Sequence, residues 1–304
     1  MRSILILLLS IFFFSANSQS NLIEGKWDLT VSAEGKEKPS WLSVSHSGVN
    51  TYVGQFVYAF GSARPISEVK MDGNKFSFSI PRQWEPEGQD MQFTGTVNQN
   101  SISGTLIYTD GTKQPFTGVR APKLAYTYNP TWGEPINLFN GKDFTGWTPM
   151  GENQWKVIDG VLTSEKAGAN LVSNQKFDDF KLHIEFRYPK GSNSGIYLRG
   201  RYETQIADNA GSDPSNILFG GIYGFLTPTE MVAKAAGEWQ SFDITLIGNR
   251  VTIIANGKPI IIDRAIPGIT GGALDSNEGE AGPFMIQGDH GPVEFRNIIV
   301  TPRI

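Results

Sequence analysis

Apolar and polar residues alternate along most of the chain after its first twenty residues, in short runs that end at glycine, asparagine or aspartate. Trp27, Leu29 and Val31 form one such run. The segments Asp72-Gly73-Asn74 and Asp110-Gly111 are typical of hairpin turns. A period of two places every second side chain on the same face of a strand, and no amphipathic helix exceeds two or three turns. The sequence therefore predicts an all-β fold.

The length of 304 residues favours two domains. Residues 19–121 are predicted to form a small all-β accessory domain, a barrel or sandwich of six to eight strands. Its opening, Gly25-Lys26-Trp27, resembles the Gly-x-Trp start of lipocalin-like barrels. Residues 122–135, rich in proline and aromatic residues, are predicted to be a linker whose rings dock on a domain. Residues 136–304 are predicted to form a β-sandwich, and the chain from Trp132 onward is expected to fold alone.

The N-terminus has the pattern of an export signal, predicted over residues 1–18. Arg2 precedes an apolar run, Ile4 to Phe14, that is too short to span a bilayer. Ala16 and Ser18 fit the small residues at a cleavage site, so cleavage is expected after Ser18. An uncleaved anchor is the alternative. The predicted location is periplasmic or secreted, with no membrane association after cleavage.

Composition excludes several functional classes. Lys and Arg number 26 against 30 Asp and Glu, a net charge of −4, and we therefore expect no nucleic-acid partner. The absence of cysteine excludes disulfides, zinc–thiolate sites and cysteine nucleophiles. His46, His183 and His290 lack close ligand spacing, so no metal site and no cofactor is predicted, although the sequence leaves a divalent metal open.

Polar residues with both donor and acceptor geometry occupy one face of several predicted strands in the second domain. Such alternation is also the ordinary pattern of a half-solvated antiparallel sheet. Lysine and threonine usually dominate solvated faces, whereas these groups suit sugar hydroxyls. We expect the following six to converge in one pocket on a concave sheet: His183, Glu185, Arg187, Arg199, Glu203 and Gln205.

A series of short motifs then follows in order through the second domain. It includes Leu138-Phe139-Asn140-Gly141-Lys142-Asp143-Phe144-Thr145-Gly146-Trp147, Asn193-Ser194-Gly195-Ile196-Tyr197-Leu198-Arg199, Tyr202-Glu203-Thr204-Gln205-Ile206, Gly237-Glu238-Trp239 and Phe295-Arg296-Asn297-Ile298. Together they resemble the 3-keto-disaccharide hydrolase family, long known only as a domain of unknown function, which has a concanavalin-like jelly-roll fold. The first domain is outside this resemblance.

The resemblance implies an oligosaccharide or glycoside substrate, cleaved in a sugar oxidised to a ketone at C3. The ketone acidifies the C2 proton, a base removes it, the enolate expels the aglycone, and water adds back. Glu203, Glu185 and His290 are the candidate bases, and Arg187 and Arg199 could hold the enolate or orient hydroxyls.

Several polar residues are candidates for binding the sugar hydroxyls: His183, Asn193, Tyr197, Gln205, Tyr223 and Gln287. The alternative function is a non-catalytic, lectin-like carbohydrate-binding protein, since the same fold serves both roles. A third possibility gives the first domain a structural or protein-docking role beside an enzymatic second domain.

Overall fold

The computed structural model describes residues 22–49, 51–124, 126 and 128–304. The predicted export signal lies outside these residues. Within them every regular element is a strand, which confirms the all-β expectation. No helix in the described part of the chain has the length and apolar character that a membrane crossing requires.

The first eight strands form a closed antiparallel barrel in which each strand pairs with the next and β1 pairs with β8. They are β1 (Gly25–Ala33), β2 (Lys36–Ser47), β3 (Thr51–Val57), β4 (Arg64–Asp72), β5 (Lys75–Ile80), β6 (Met91–Val97), β7 (Ser101–Ile107) and β8 (Lys113–Arg120). Closure leaves no unpaired edge, and the alternating apolar residues fill the interior. Trp27, with no exposed surface, packs under the Arg120 guanidinium at 3.8 Å.

The remaining strands form the sandwich. They are β9 (Ile136–Asn137), β10 (Trp147–Pro149), β11 (Lys156–Ile158), β12 (Val161–Ser164), β13 (Leu171–Phe177), β14 (Phe180–Arg187), β15 (Asn193–Leu198), β16 (Tyr202–Ala207), β17 (Gln240–Ile247), β18 (Arg250–Ala255), β19 (Lys258–Ala265), β20 (Gly282–Ile286) and β21 (Val293–Pro302). One sheet has the order β10-β13-β20-β15-β16. The other has the order β11-β12-β21-β14-β17-β18-β19, with β9 beside β21. Apolar side chains from both sheets meet in one core, as in the predicted β-sandwich.

The linker residues pack on the sandwich, as their aromatic character predicts. Trp132 lies under the Lys181 ammonium, 4.8 Å from the ring centre. Tyr128 hydrogen-bonds Asp179, and Leu124 is buried. The described residues of the linker therefore lie along the sandwich surface.

The barrel and the sandwich share an apolar interface. Trp41 and Val57 are cross-strand neighbours on the barrel, yet both belong to the hydrophobic cluster of the sandwich. The Trp41 ring meets Phe225 edge-on at 5.4 Å and lies against Gly268. Removing the barrel would expose this cluster, which argues against the expectation that the chain from Trp132 onward folds alone.

Candidate active site

Three adjacent strands of the five-stranded sheet, β15, β16 and β20, carry polar side chains on the face opposite the core. Tyr197 on β15 pairs in register with Glu203 on β16 and with Met285 on β20. Gln205 lies two residues beyond Glu203, on the same face. This face is the one that the alternation predicts for β15, β16 and β20.

Loops and the barrel cover this face and leave a cavity of about 240 Å³. It is lined by Phe60, Gly61, Asn170, Asn193, Tyr197, Glu203, Gln205, Tyr223, Gly271, Gly272, Met285, Gln287, Asp289 and His290. The cavity therefore brings together seven of the predicted site residues, namely Asn193, Tyr197, Glu203, Gln205, Tyr223, Gln287 and His290.

Glu203 is a buried carboxyl in the wall of this cavity, only 4% exposed. Gly195 on the neighbouring strand makes room for it, since a Cβ there would lie 2.4 Å from Glu203 Oε1. Burial raises the pKa of Glu203 to about 8, and this effect outweighs the hydrogen bond of Tyr197 and the charge of His290. Glu203 is therefore mainly protonated at neutral pH.

The hydrogen bonds around Glu203 fit this protonated form. Tyr197 Oη lies 2.9 Å from both Glu203 Oε2 and the Gly271 carbonyl oxygen. A tyrosine hydroxyl has one proton, so both contacts are satisfied when Glu203 donates to Tyr197 and Tyr197 donates to Gly271. Gln205, with its amide oriented to satisfy its neighbours, donates to Glu203 Oε1 at 3.0 Å and accepts from Asn193 Nδ2 at 3.1 Å.

The loop after β20 brings a histidine–carboxylate pair to the same cavity. His290 Nδ1 lies 2.6 Å from Asp289 Oδ1, and the hydrogen bond with Asp289 raises the pKa of His290 above its usual range. A carboxylate only accepts hydrogen bonds, so Nδ1 carries the hydrogen. In the neutral ring Nε2 then has no hydrogen and can accept a proton. Asn170 Oδ1 anchors the loop by accepting from the Gly288 backbone N–H at 2.8 Å.

Gln287 offers an acceptor to a ligand. Its side chain is 7% exposed and lines the cavity. Oε1 of Gln287 is buried and has no hydrogen-bond partner among the residues that the structure describes. Buried acceptors are nearly always paired, so a rotation of the Gln287 amide that opens this atom to the cavity would let it accept from a ligand hydroxyl.

The convergence expected for His183, Glu185 and Arg187 is wrong. These residues lie on β14 in the other sheet, so their outward face is on the opposite side of the sandwich. There His183 pairs with Asp243 at 2.7 Å, while Glu185 pairs with Arg296 at 2.6 Å and Arg187 with Glu294 at 2.5 Å. They form the half-solvated, ion-paired sheet face that such alternation ordinarily indicates.

Arg199 is also away from the cavity. β15 ends at Leu198, and Arg199 has a left-handed backbone conformation with φ of 52°, which breaks the alternation. Its guanidinium, 1% exposed, donates to the Gly248 carbonyl at 2.5 Å and reaches Asp178 at 3.3 Å. Arg199 therefore links the loops that contain Gly248 and Asp178.

Several cavity residues carry no signal at the sequence level. Phe60 and Gly61 come from the barrel, Asn170 precedes a strand, and Gly271 and Gly272 lie in a long loop. Asp289 could have been found from its position beside His290. In the described part of the chain, no group of three or more His, Asp or Glu side chains is arranged to hold a metal ion.

Comparisons with known proteins concern mainly the sandwich. A family model described as the 3-keto-alpha-glucoside-1,2-lyase-like domain matches residues 134–301. A 3-keto-disaccharide hydrolase from Bacteroides thetaiotaomicron is 31% identical, and the match covers 41% of this chain and 57% of that relative. The chain thus spans less than two thirds of that relative's length.

Two solved structures from Parabacteroides distasonis, each of a proposed glycosyl hydrolase, are also similar. The first is 29% identical with a TM-score of 0.48, and the alignment covers 60% of this chain and 96% of that one. The second is 20% identical with a TM-score of 0.48, over 56% of this chain and 94% of that one.

Proposed function

Because the chain belongs, over residues 134–301, to the 3-keto-alpha-glucoside-1,2-lyase-like domain family, we propose that it cleaves glycosidic bonds in glycosides whose sugar carries a ketone at C3. The observation that carries this proposal is one cavity holding a protonated buried carboxyl, Glu203, and an oriented base, His290. Amide side chains, among them Gln287, surround the two groups and suit sugar hydroxyls.

The proposed reaction begins with removal of the C2 proton, which the neighbouring ketone makes acidic. His290 Nε2 takes this proton, while Asp289 holds the ring and stabilises the imidazolium that forms. When the ketone binds, Glu203 keeps its proton but turns it from Tyr197 to the C3 oxygen, and it donates a hydrogen bond to that oxygen as the enolate forms. The enolate re-forms the ketone and expels the C1 aglycone oxygen, which takes up the proton held by the His290 imidazolium. Water then adds to the C1–C2 double bond that remains, with the hydroxyl on C1 and a hydrogen on C2.

The first prediction concerns turnover of a 3-keto-glucoside, followed by aglycone release in deuterated water. Deuterium should enter C2 of the recovered sugar, and the unoxidised glucoside should stay intact. His290→Gln should lower kcat/KM by roughly two to four powers of ten, the range of general-base loss. His183→Gln is the matched control, because His183 has the same Nδ1–carboxylate contact on the opposite sheet. Binding without turnover would favour the lectin-like alternative.

The pH profile separates the roles of the two groups. If His290 is the base and protonated Glu203 the donor, kcat/KM rises as His290 loses its proton and falls as Glu203 ionises near pH 8. Glu203→Gln should then remove the alkaline fall. A profile that instead rises through about pH 8 to a plateau would make Glu203 the base.

We also propose that residues 1–18 direct export and are removed after Ser18. The supporting observation is the short apolar run followed by small residues at Ala16 and Ser18. Cell fractionation and mass determination of the mature N-terminus test this. Recovery of the intact N-terminus in the cytoplasm would contradict it.

A further inference from the structure

A second cavity, of about 350 Å³, lies at the mouth of the barrel beside the active-site cavity. Phe60, 49% exposed, lines both. The active-site cavity, at about 240 Å³, is smaller than the roughly 300 Å³ at which pockets for drug-sized ligands begin, so it suits a single sugar ring. The rest of a larger glycoside must lie outside it, and the barrel cavity is adjacent.

Phe60 is supported as a ring platform between the two cavities. Its ring meets Tyr58 edge-on at 5.0 Å, and Tyr58 stacks on Tyr108 at 5.2 Å. The Tyr58 hydroxyl is fixed by donation to Gln114 Oε1 at 2.7 Å. An aromatic face that is both supported and half exposed can pack against the C–H face of a sugar ring at low entropic cost.

The loop that carries Phe60 is held against the sandwich. The Ala59 carbonyl accepts from the Gly272 backbone N–H at 2.8 Å. On the barrel side, Gly61, with φ of 82°, lies under the Trp84 ring. A Cβ at Gly61 would be 2.4 Å from that ring. The neighbouring Gly271 is the acceptor of the Tyr197 hydroxyl that also contacts Glu203. Phe60 is therefore in a fixed position relative to the proposed catalytic groups.

The polar lining of the barrel cavity indicates the charge of its occupant. Lys38 and Lys113 are balanced by Glu34 and Asp110, so the cavity favours no net charge. These groups and Thr112 supply both donors and acceptors, which fits a neutral polyhydroxy ligand better than a phosphorylated one.

From these observations we propose that the N-terminal barrel forms the subsite for the aglycone ring of the substrate, a second neutral sugar that stacks on Phe60. This assignment rests on the proposed function. It gives the barrel a part in substrate selection, although residues 134–301 hold the whole family match.

Two substrates test the assignment, a 3-keto-disaccharide of two glucose units and the 3-keto derivative of methyl glucoside, which has no aglycone ring. Phe60→Ala should raise KM for the disaccharide about tenfold or more, because the ring contact is lost. Because Phe60 also lines the active-site cavity, KM for the methyl glycoside should rise as well, but by a factor at least about threefold smaller than for the disaccharide. Phe60→Tyr, which keeps the aromatic face, should retain disaccharide activity, and Phe60→Leu should not.

Val119→Ala is the control for an exposed apolar residue of the barrel outside both cavities. Equal losses on the two substrates would overturn the assignment and make Phe60 a contact of the oxidised sugar. Unchanged constants on both would exclude Phe60 from binding. A wild-type protein inactive on both substrates would instead refute the proposed function itself.

Discussion

At the scale of single residues, Glu203 shows how burial changes the chemistry of a carboxyl. Alternation predicts its position on the sheet face, but its pKa depends on the cover provided by loops and the barrel. Glu185 is also a glutamate, and it alternates with apolar residues in the same way on a strand of the other sheet. Burial acts to raise the pKa of Glu185, but hydrogen bonds from Asn297 and Arg296 outweigh this effect and lower the pKa.

This contrast predicts opposite pH dependences of stability. The pKa of Glu203 rises from 4.5 in the unfolded chain to about 8 in the fold, so its contribution to the free energy of unfolding is lost as pH rises through that window. The loss is on the order of a few kcal/mol. Glu203→Gln should remove this loss, as measured by Tm against pH.

Glu185→Gln is the matched control with the opposite sign. The lowered pKa of Glu185 gives stability that is present above pH 4.5 and lost as pH falls. The variant should therefore lose an acid-side dependence. Parallel Tm curves for Glu203→Gln and the wild type across pH 4.5 to about 8 would contradict the burial argument.

At the scale of elements, β15, β16 and β20 form the platform of the site because their registers align. Gly195 is the residue of β15 that lies directly opposite Gln205, and its missing side chain provides the space for the Glu203 carboxyl. Position and spacing in a sequence do not show this relation, since it depends on which strands pair and in which register.

Gly195→Ala tests the element-level arrangement. The new Cβ would lie 2.4 Å from Glu203 Oε1, so the carboxyl must move and lose its contacts with Tyr197 and Gln205. We expect kcat to fall by roughly a hundredfold, since small misplacements of catalytic groups have effects of this size. Gly279→Ala is the control, because its Cβ would meet only Pro122 at an ordinary 3.5 Å. Full activity of Gly195→Ala would mean that Glu203 tolerates displacement.

At the scale of the whole molecule, the outer face of the barrel becomes interior where the sandwich covers it. Asp28 lies between the inward Trp27 and Leu29 and would face solvent in an isolated barrel, yet it is 5% exposed. It lies beside the buried Glu278 of the sandwich. Burial and the neighbouring Glu278 carboxyl raise the pKa of Asp28 to about 9, so this buried acid pair retains a proton at neutral pH.

The interface should therefore weaken as pH rises. The folded-state pKa of Asp28, about 9, is above its unfolded value of 3.8, so its contribution to stability is lost progressively as pH rises from 3.8 to about 9. Lys26 and Arg201 also face the pair and moderate the effect. Asp28→Asn should reduce the fall in Tm between pH 3.8 and about 9, whereas Asp263→Asn, an exposed site on β19, should not. Parallel Tm curves for wild type and Asp28→Asn across pH 3.8 to about 9 would refute this role.

The sequence alone determined the all-β class, the turns, the inward and outward faces of most strands, and a family resemblance that the family match confirms. These properties follow from local alternation and from motifs contiguous along the chain. Tertiary structure decided which faces meet: it separated His183, Glu185 and Arg187 from Glu203, turned Arg199 inward, and brought Phe60 from the barrel to the active-site cavity. Sheet pairing order and domain packing join residues far apart in sequence, and alternation contains no information about that distance.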